Sequence, residues 1–158
     1  AVSRIAIVCA LLVLIVAAPA SAATKTLDFK LRPWVQQKMT GDPAAAPVVG
    51  DMFAYHDGPL FSLAGKRIGT SGATATALEM GTSKMTVSLS SVFKFHGGQI
   101  LSAGMQVNTI GSNPMNQTVK FSRAITGGTG IYGGARGVDA ITVKGGWVYH
   151  HVTYETMG

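Results

Sequence analysis

The sequence predicts an all-β domain built as an eight-stranded antiparallel up-and-down β-barrel. Apolar and polar residues alternate with period 2 over most of the chain, as half-buried strands require. No segment carries a sustained 3.6-residue apolar stripe of the kind a packed helix needs. Glycine-rich turns break the alternation at short intervals, as between Phe95 and Gln99. Eight antiparallel strands in a chain of 158 residues favour closure, which removes the exposed edges that an open sheet would present. A barrel of that size can hold one small ligand. A β-sandwich shares the pattern and differs in having a filled core rather than a mouth.

The chain begins with a short basic region at Arg4, an apolar stretch from Ile5 to Ala18 and small residues at Ala20-Ser21-Ala22. This is the pattern of a cleaved secretory signal, and the apolar stretch is short for a membrane-spanning helix. Residues 1–22 are therefore read as a signal peptide, residues 23–158 as a single domain, and the protein as secreted. Cys9, the single cysteine, leaves with the signal. The processed chain then has neither a disulfide nor thiol chemistry, and its stability must come from sheet closure, packing or association.

Strands follow at Leu27–Leu31, Val48–Asp57, Ile68–Leu78, Lys84–Phe95, Gln99–Asn108, Gln117–Thr126, Ala135–Lys144 and Trp147–Glu155. The clearest alternation sets Met85, Val87, Leu89, Phe93 and Phe95 against Thr86, Ser88, Ser90 and Lys94. After Gly97-Gly98 comes a hairpin partner, with Leu101, Ala103, Met105 and Val107 against Ser102, Gln106 and Asn108. The stretch from Arg32 to Pro47, with Pro33, Gly41, Pro43 and Pro47, reads as a long irregular connection.

Several function classes are disfavoured. The formal charge of +6 is spread along the chain with no basic run, whereas nucleic-acid readers cluster their cations or interleave them with stacking aromatics. The dispersed charge suits a solvated surface weakly attracted to anionic cell-wall material or membranes. Gly128, Gly130 and Gly133 have the spacing of a dinucleotide fingerprint, but that site needs a helix to start there, and Gly137-Val138-Asp139-Ala140-Ile141 continues as a strand. His150 and His151 are adjacent on a strand and point to opposite faces, and His56 and His96 stand apart from them, so no metal set is expected. No serine sits in Gly-x-Ser-x-Gly. Asn116-Gln117-Thr118 is a glycosylation sequon.

The run Gly127-Gly128-Thr129-Gly130-x-Tyr132-x-x-Ala135-Arg136-Gly137 resembles the signature of dirigent proteins and the related allene oxide cyclase-like barrels. The block from Val48 through Tyr55-His56-Asp57, followed by Gly69-Thr70-Ser71-Gly72, is similar to the first barrel strands of the same group. The resemblance spans roughly Val48 to Tyr154. The plant dirigent pattern carries Phe and Met where this chain has Tyr132 and Gly134, and many members have a cysteine pair absent here, which leans toward the cyclase-like or non-plant branch. The resemblance implies a calycin-like barrel needing no cofactor, which binds a hydrophobic or phenolic small molecule and directs its stereoselective coupling or cyclisation. It further implies a homotrimer and, in the dirigent case, a separate oxidase supplying the reactive intermediate. The competing class is a secreted ligand-binding or structural barrel without catalysis.

Asp57 is the first candidate site residue, since Phe53, Tyr55 and Asp57 alternate onto one face and the resemblance puts the matching aspartate in the cavity. An acid among aromatics can donate or relay a proton; Asp57-Gly58-Pro59 also reads as a simple turn. Arg136, between Ala135 and Gly137, has room to bind an anionic oxygen in two-pronged fashion, or to form an internal ion pair with Asp139 or Asp57. Tyr132 either lines the mouth or plugs the barrel under the glycine turn. Phe53, Tyr55, Phe93 and Tyr132 are the candidate substrate-lining residues, whereas solid packing by Phe93, Phe95 and Met105 points to the non-catalytic class.

Overall fold

The computed structural model describes residues 22–32, 36–110 and 118–156. Residues 1–21 of the signal-peptide segment, and Asn116 and Gln117 of the sequon, lie outside the described residues. Nine strands run in chain order: β1 Lys25–Leu31, β2 Gln36–Lys38, β3 Met52–Phe61, β4 Arg67–Met80, β5 Lys84–Phe95, β6 Gly98–Thr109, β7 Val119–Gly130, β8 Arg136–Lys144 and β9 Trp147–Glu155. From β3 to β9 each strand pairs antiparallel with the next. β1 then pairs with both β9 and β3, which closes an eight-stranded barrel with β2 added on β3.

The stretch expected to be wholly irregular between Arg32 and Pro47 thus contains a short strand. The loop after it is organised by Asp51, which accepts from Lys38 Nζ at 2.9 Å, the Val48 amide at 2.9 Å and Thr40 Oγ1 at 3.0 Å. Strand β3 runs straight through Asp57-Gly58-Pro59, where the sequence also allowed a turn. It does so with a bulge, since Tyr55 pairs with Ala73 and Gly58 with Ser71, leaving His56 and Asp57 opposite Gly72 alone.

Alternation decides what fills the barrel, and it yields three layers. One apolar cluster holds Phe29, Leu31, Leu60, Phe93, Ile100, Ile125, Tyr132, Ala135, Val152 and Tyr154. A second holds Phe53, Ala73, Ala75, Ala77, Val87 and Leu89, with Tyr55 and Met85 packed on it. Between them on the inward face of β5 comes Ser91, after Leu89 and before Phe93. Ser71 precedes Ala73 on β4, and Ser102 follows Ile100 on β6; all three serines are buried.

Strand β6 corrects one expectation. Met105 is 67% exposed and Val107 58%, whereas Ser102 is 1% exposed. The apolar face of β6 points outward, so Met105 does not pack the core.

The glycine run is a β-connection. β7 continues to Gly130, which takes a left-handed φ of 61°, and residues 131–134 turn into β8. Gly128 is required by close approach, because a Cβ there would collide with the carbonyl oxygens of Tyr132 and Gln99. Gly128→Ala is expected to destabilise the fold by about 1–3 kcal/mol or more, in the range of overpacking, with thermal unfolding as the check and Gly145→Ala, whose Cβ meets nothing within 4 Å, as the comparison for backbone strain alone.

Candidate functional site

The middle layer of the barrel gathers three buried ionisable groups, Arg123, Asp139 and His150. Each comes from an inward position whose neighbours on the same face are apolar: Arg123 precedes Ile125 on β7, Asp139 precedes Ile141 on β8, and His150 precedes Val152 on β9. Arg123 and Asp139 are direct cross-strand partners in the β7–β8 register. In β8–β9, Ile141 pairs with His150 and Asp139 with Val152, so His150 reaches Asp139 diagonally.

The geometry is closely bonded. Arg123 Nη2 lies 3.2 Å from Asp139 Oδ2, and Arg123 Nη1 donates to Ser91 Oγ at 2.8 Å. His150 Nδ1 is 2.9 Å from Asp139 Oδ1 and 3.0 Å from Oδ2, while Ser102 Oγ approaches Oδ2 at 3.4 Å. The His150 ring stacks on Phe29 with centroids 4.7 Å apart and planes 7° apart, and meets the Phe93 ring at 4.9 Å and 66°. Gly104 on β6 makes space for the arginine, since a Cβ there would lie 2.9 Å from Arg123 Cγ.

Two nitrogens of this cluster, Arg123 Nε and His150 Nε2, are buried with no hydrogen-bond partner among the described residues. Burial pushes the His150 pKa below its ordinary value; the hydrogen bond and charge of Asp139 work against this, and the charge of Arg123 adds to it. Burial likewise lowers the Arg123 pKa, opposed by the charge and hydrogen bond of Asp139. A carboxylate paired with a guanidinium only accepts hydrogen bonds. Nδ1 therefore carries the imidazole proton, and the neutral ring leaves a lone pair on Nε2.

The residues singled out from sequence are dispersed. Phe53 is buried in the second cluster with Tyr55 against it, and burial raises the Tyr55 pKa. Phe93 is fully buried and touches His150. Tyr132 is buried under the glycine turn, its ring 5.7 Å from Phe95 and 5.9 Å from Tyr154, which is the plug arrangement. The Asp57 backbone lies at the β3 bulge, and its side chain is outside what the structure describes. Arg136 is exposed, and its Nη1 donates to the carbonyl of its neighbour Ala135 at 2.8 Å. The guanidinium paired with Asp139 belongs to Arg123. Sequence reading passed over Arg123, Asp139 and His150 as a set, although each is a charged or imidazole residue interrupting an otherwise apolar inward row.

The depressed His150 pKa has a defined effect on stability. Because the unfolded chain binds a proton near pH 6.5 and the folded barrel resists it, stability falls as pH drops below about 6.5, and this contribution levels off once pH passes the lower folded-state value. Urea midpoints measured stepwise from pH 7.5 to 5 should show that loss, and His150→Asn should remove the part due to this group.

No family signature matches the sequence, and no curated protein is similar enough to count as a relative. Solved structures do share its fold. A pyocyanin demethylase superposes with a TM-score of 0.65 at 20% identity, covering 82% of this chain and 99% of that one. A pterocarpan synthase dirigent protein gives 0.61 at 17% identity, covering 86% and 87%. The Diels-Alderase AbmU from Streptomyces koyangensis gives 0.59 at 18% identity, covering 85% of this chain, which spans 64% of that longer protein. By fold, the chain is a dirigent-like barrel of the kind also found among cyclases.

Proposed function

We propose that this barrel takes one hydrophobic or phenolic small molecule into its interior and directs its cyclisation or coupling without a cofactor. The carrying observation is the middle layer, a neutral imidazole and a guanidinium with unpaired nitrogens set between two apolar clusters. Such a layer can fix one oxygen of a bound ring while methyl and aromatic groups hold the rest, and the gain in rate is mostly geometric. The dirigent and Diels-Alderase names among the structural neighbours support the same reading.

The order of basic Arg4, an apolar stretch from Ile5 to Ala18 and small residues at Ala20-Ser21-Ala22 supports export as part of this proposal, with action outside the cytoplasm and a separate oxidase as partner if the chemistry is radical coupling. The exposed Leu101, Met105 and Val107 on the outer face of β6 support association into a trimer. Light scattering at tens of micromolar is expected to return three copies, and a monomer at that concentration contradicts it.

Binding is tested first by mass spectrometry of molecules that co-purify with the barrel, then by thermal shift against a panel of phenols. A ligand at a hundred times its Kd should stabilise the fold by about 2.7 kcal/mol. Arg136→Ala is expected to leave binding unchanged because that side chain is exposed; lost binding moves the anion site to the outer rim. Asp57 remains a proposed proton-handling group, and on that proposal Asp57→Asn lowers turnover roughly 10²–10⁴-fold, whereas unchanged turnover assigns it to the bulge.

A further inference from the structure

We propose that His150 is a catalytic base, oriented by Asp139, that removes a weakly acidic proton from a neutral ring bound in the barrel. The inference rests on the small-molecule reading above and deepens it by naming the reacting atom and the substrate class. Asp139 accepts from Nδ1 at 2.9 Å and so fixes the tautomer. Phe29 and Phe93 fix the ring plane by stacking and by edge contact. Nε2 is left buried, with its lone pair unpartnered among the described residues. His150 is not needed as a counter-charge for Asp139, because Arg123 supplies the opposite charge at 3.2 Å.

The step balances without a redox partner. A C–H or O–H bond of the ligand breaks, its proton forms the Nε2–H bond, and its electron pair stays on the ligand as a carbanion, enolate or phenolate that drives ring closure. The proton returns to the product. Asp139 keeps its hydrogen bond to Nδ1 throughout and stabilises the transient imidazolium, and the charge of Arg123 keeps the proton loosely held. The charged groups facing His150 are Asp139 from β8 and Arg123 from β7; Phe29 from β1 and Phe93 from β5 present only rings. The substrate class is therefore an uncharged, largely apolar ring system with one ionisable proton, since a ligand arriving as an anion has already lost that proton.

The probe is 5-nitrobenzisoxazole, whose C3–H proton goes to the base while the C–H pair completes a nitrile and the N–O bond opens to a coloured phenolate. Intact protein is expected to open it with a rate flat above neutrality and falling only below about pH 6.5. His150→Asn, which keeps a donor toward Asp139 and lacks the Nε2 lone pair, should lose roughly 10²-fold or more. A rate that keeps climbing above pH 8, as surface lysines give, or one equal in the variant overturns the proposal. Occupancy is read separately with the inert analogue 5-nitroindazole: binding without ring opening overturns the base and leaves the barrel reading standing, whereas absence of both removes the two together. Should the variant not fold, nitrogen-15 histidine spectra of the unaltered protein at neutral pH decide it, because a proton resident on Nε2 contradicts the assignment.

Discussion

The carboxylate of Asp139, wholly buried inside a closed barrel, is the constraint on which the interior depends. It is held by Arg123 from β7, His150 from β9 and Ser102 from β6, and through Arg123 the network reaches Ser91 on β5. Five of the barrel's strands therefore meet in one set of bonds. A one-residue slip in any of them turns the inward residue out to solvent, leaving a charge or a hydroxyl uncompensated. The cluster thus fixes register as well as polarity. It is a costly way to do so, since each buried ion loses several kcal/mol of solvation and apolar replacements of such pairs are often neutral or better. A barrel selected for stability alone has cheaper fillings, and the fixing of register, together with the chemistry proposed above, is what the layer offers in return.

The strands and their closure were legible because period-2 alternation survives in β5, β8 and β9 without interruption. What alternation leaves open is which face looks inward, and β6 shows the consequence. Its apolar row of Leu101, Met105 and Val107 faces out, and the inward row runs from the buried Ile100 to Ser102 and Gly104. The inversion has a local cause: Gly104 accommodates the stem of Arg123, and Ser102 bonds to Asp139. On β6 the inward positions beside the polar layer hold small and polar residues, so past Ile100 its hydrophobic signal reads backwards.

Bulges account for the rest. Counting by twos from Phe53 through Tyr55 to Asp57 assumes an unbroken strand, and the irregularity before Gly58 breaks that count. A second one lies where Leu101 pairs with Gly127 and Ser102 with Ile125, just before the glycine run. That run carries the resemblance to dirigent-like barrels because its geometry is demanding. Gly128 packs under backbone carbonyls and Gly130 takes a left-handed turn. It marks the fold, while the buried guanidinium belongs to the unremarked Arg123 and the motif's own Arg136 faces out.

The two apolar clusters make the interior directional. On one side of the polar layer the rings of Phe29, Phe93, Phe95, Tyr132 and Tyr154 interlock through edge and tilted contacts, and Tyr132 is pinned by the turn above it through Ala135 N–H to its carbonyl at 3.0 Å. On the other side β4 offers only the methyl groups of Ala73, Ala75 and Ala77, with Phe53, Val87 and Leu89 around them. A ligand approaching from the aromatic side must break a close-packed plug of rings; from the other side it meets the smaller alanine wall of β4, with Phe53, Val87 and Leu89 beside it. On the proposed function, the ligand's apolar body rests among the alanines and its polar atom points at the layer. In that position the field of Arg123 and Asp139 acts across a medium from which water is excluded, where fixed charges and dipoles act far more strongly than in solution.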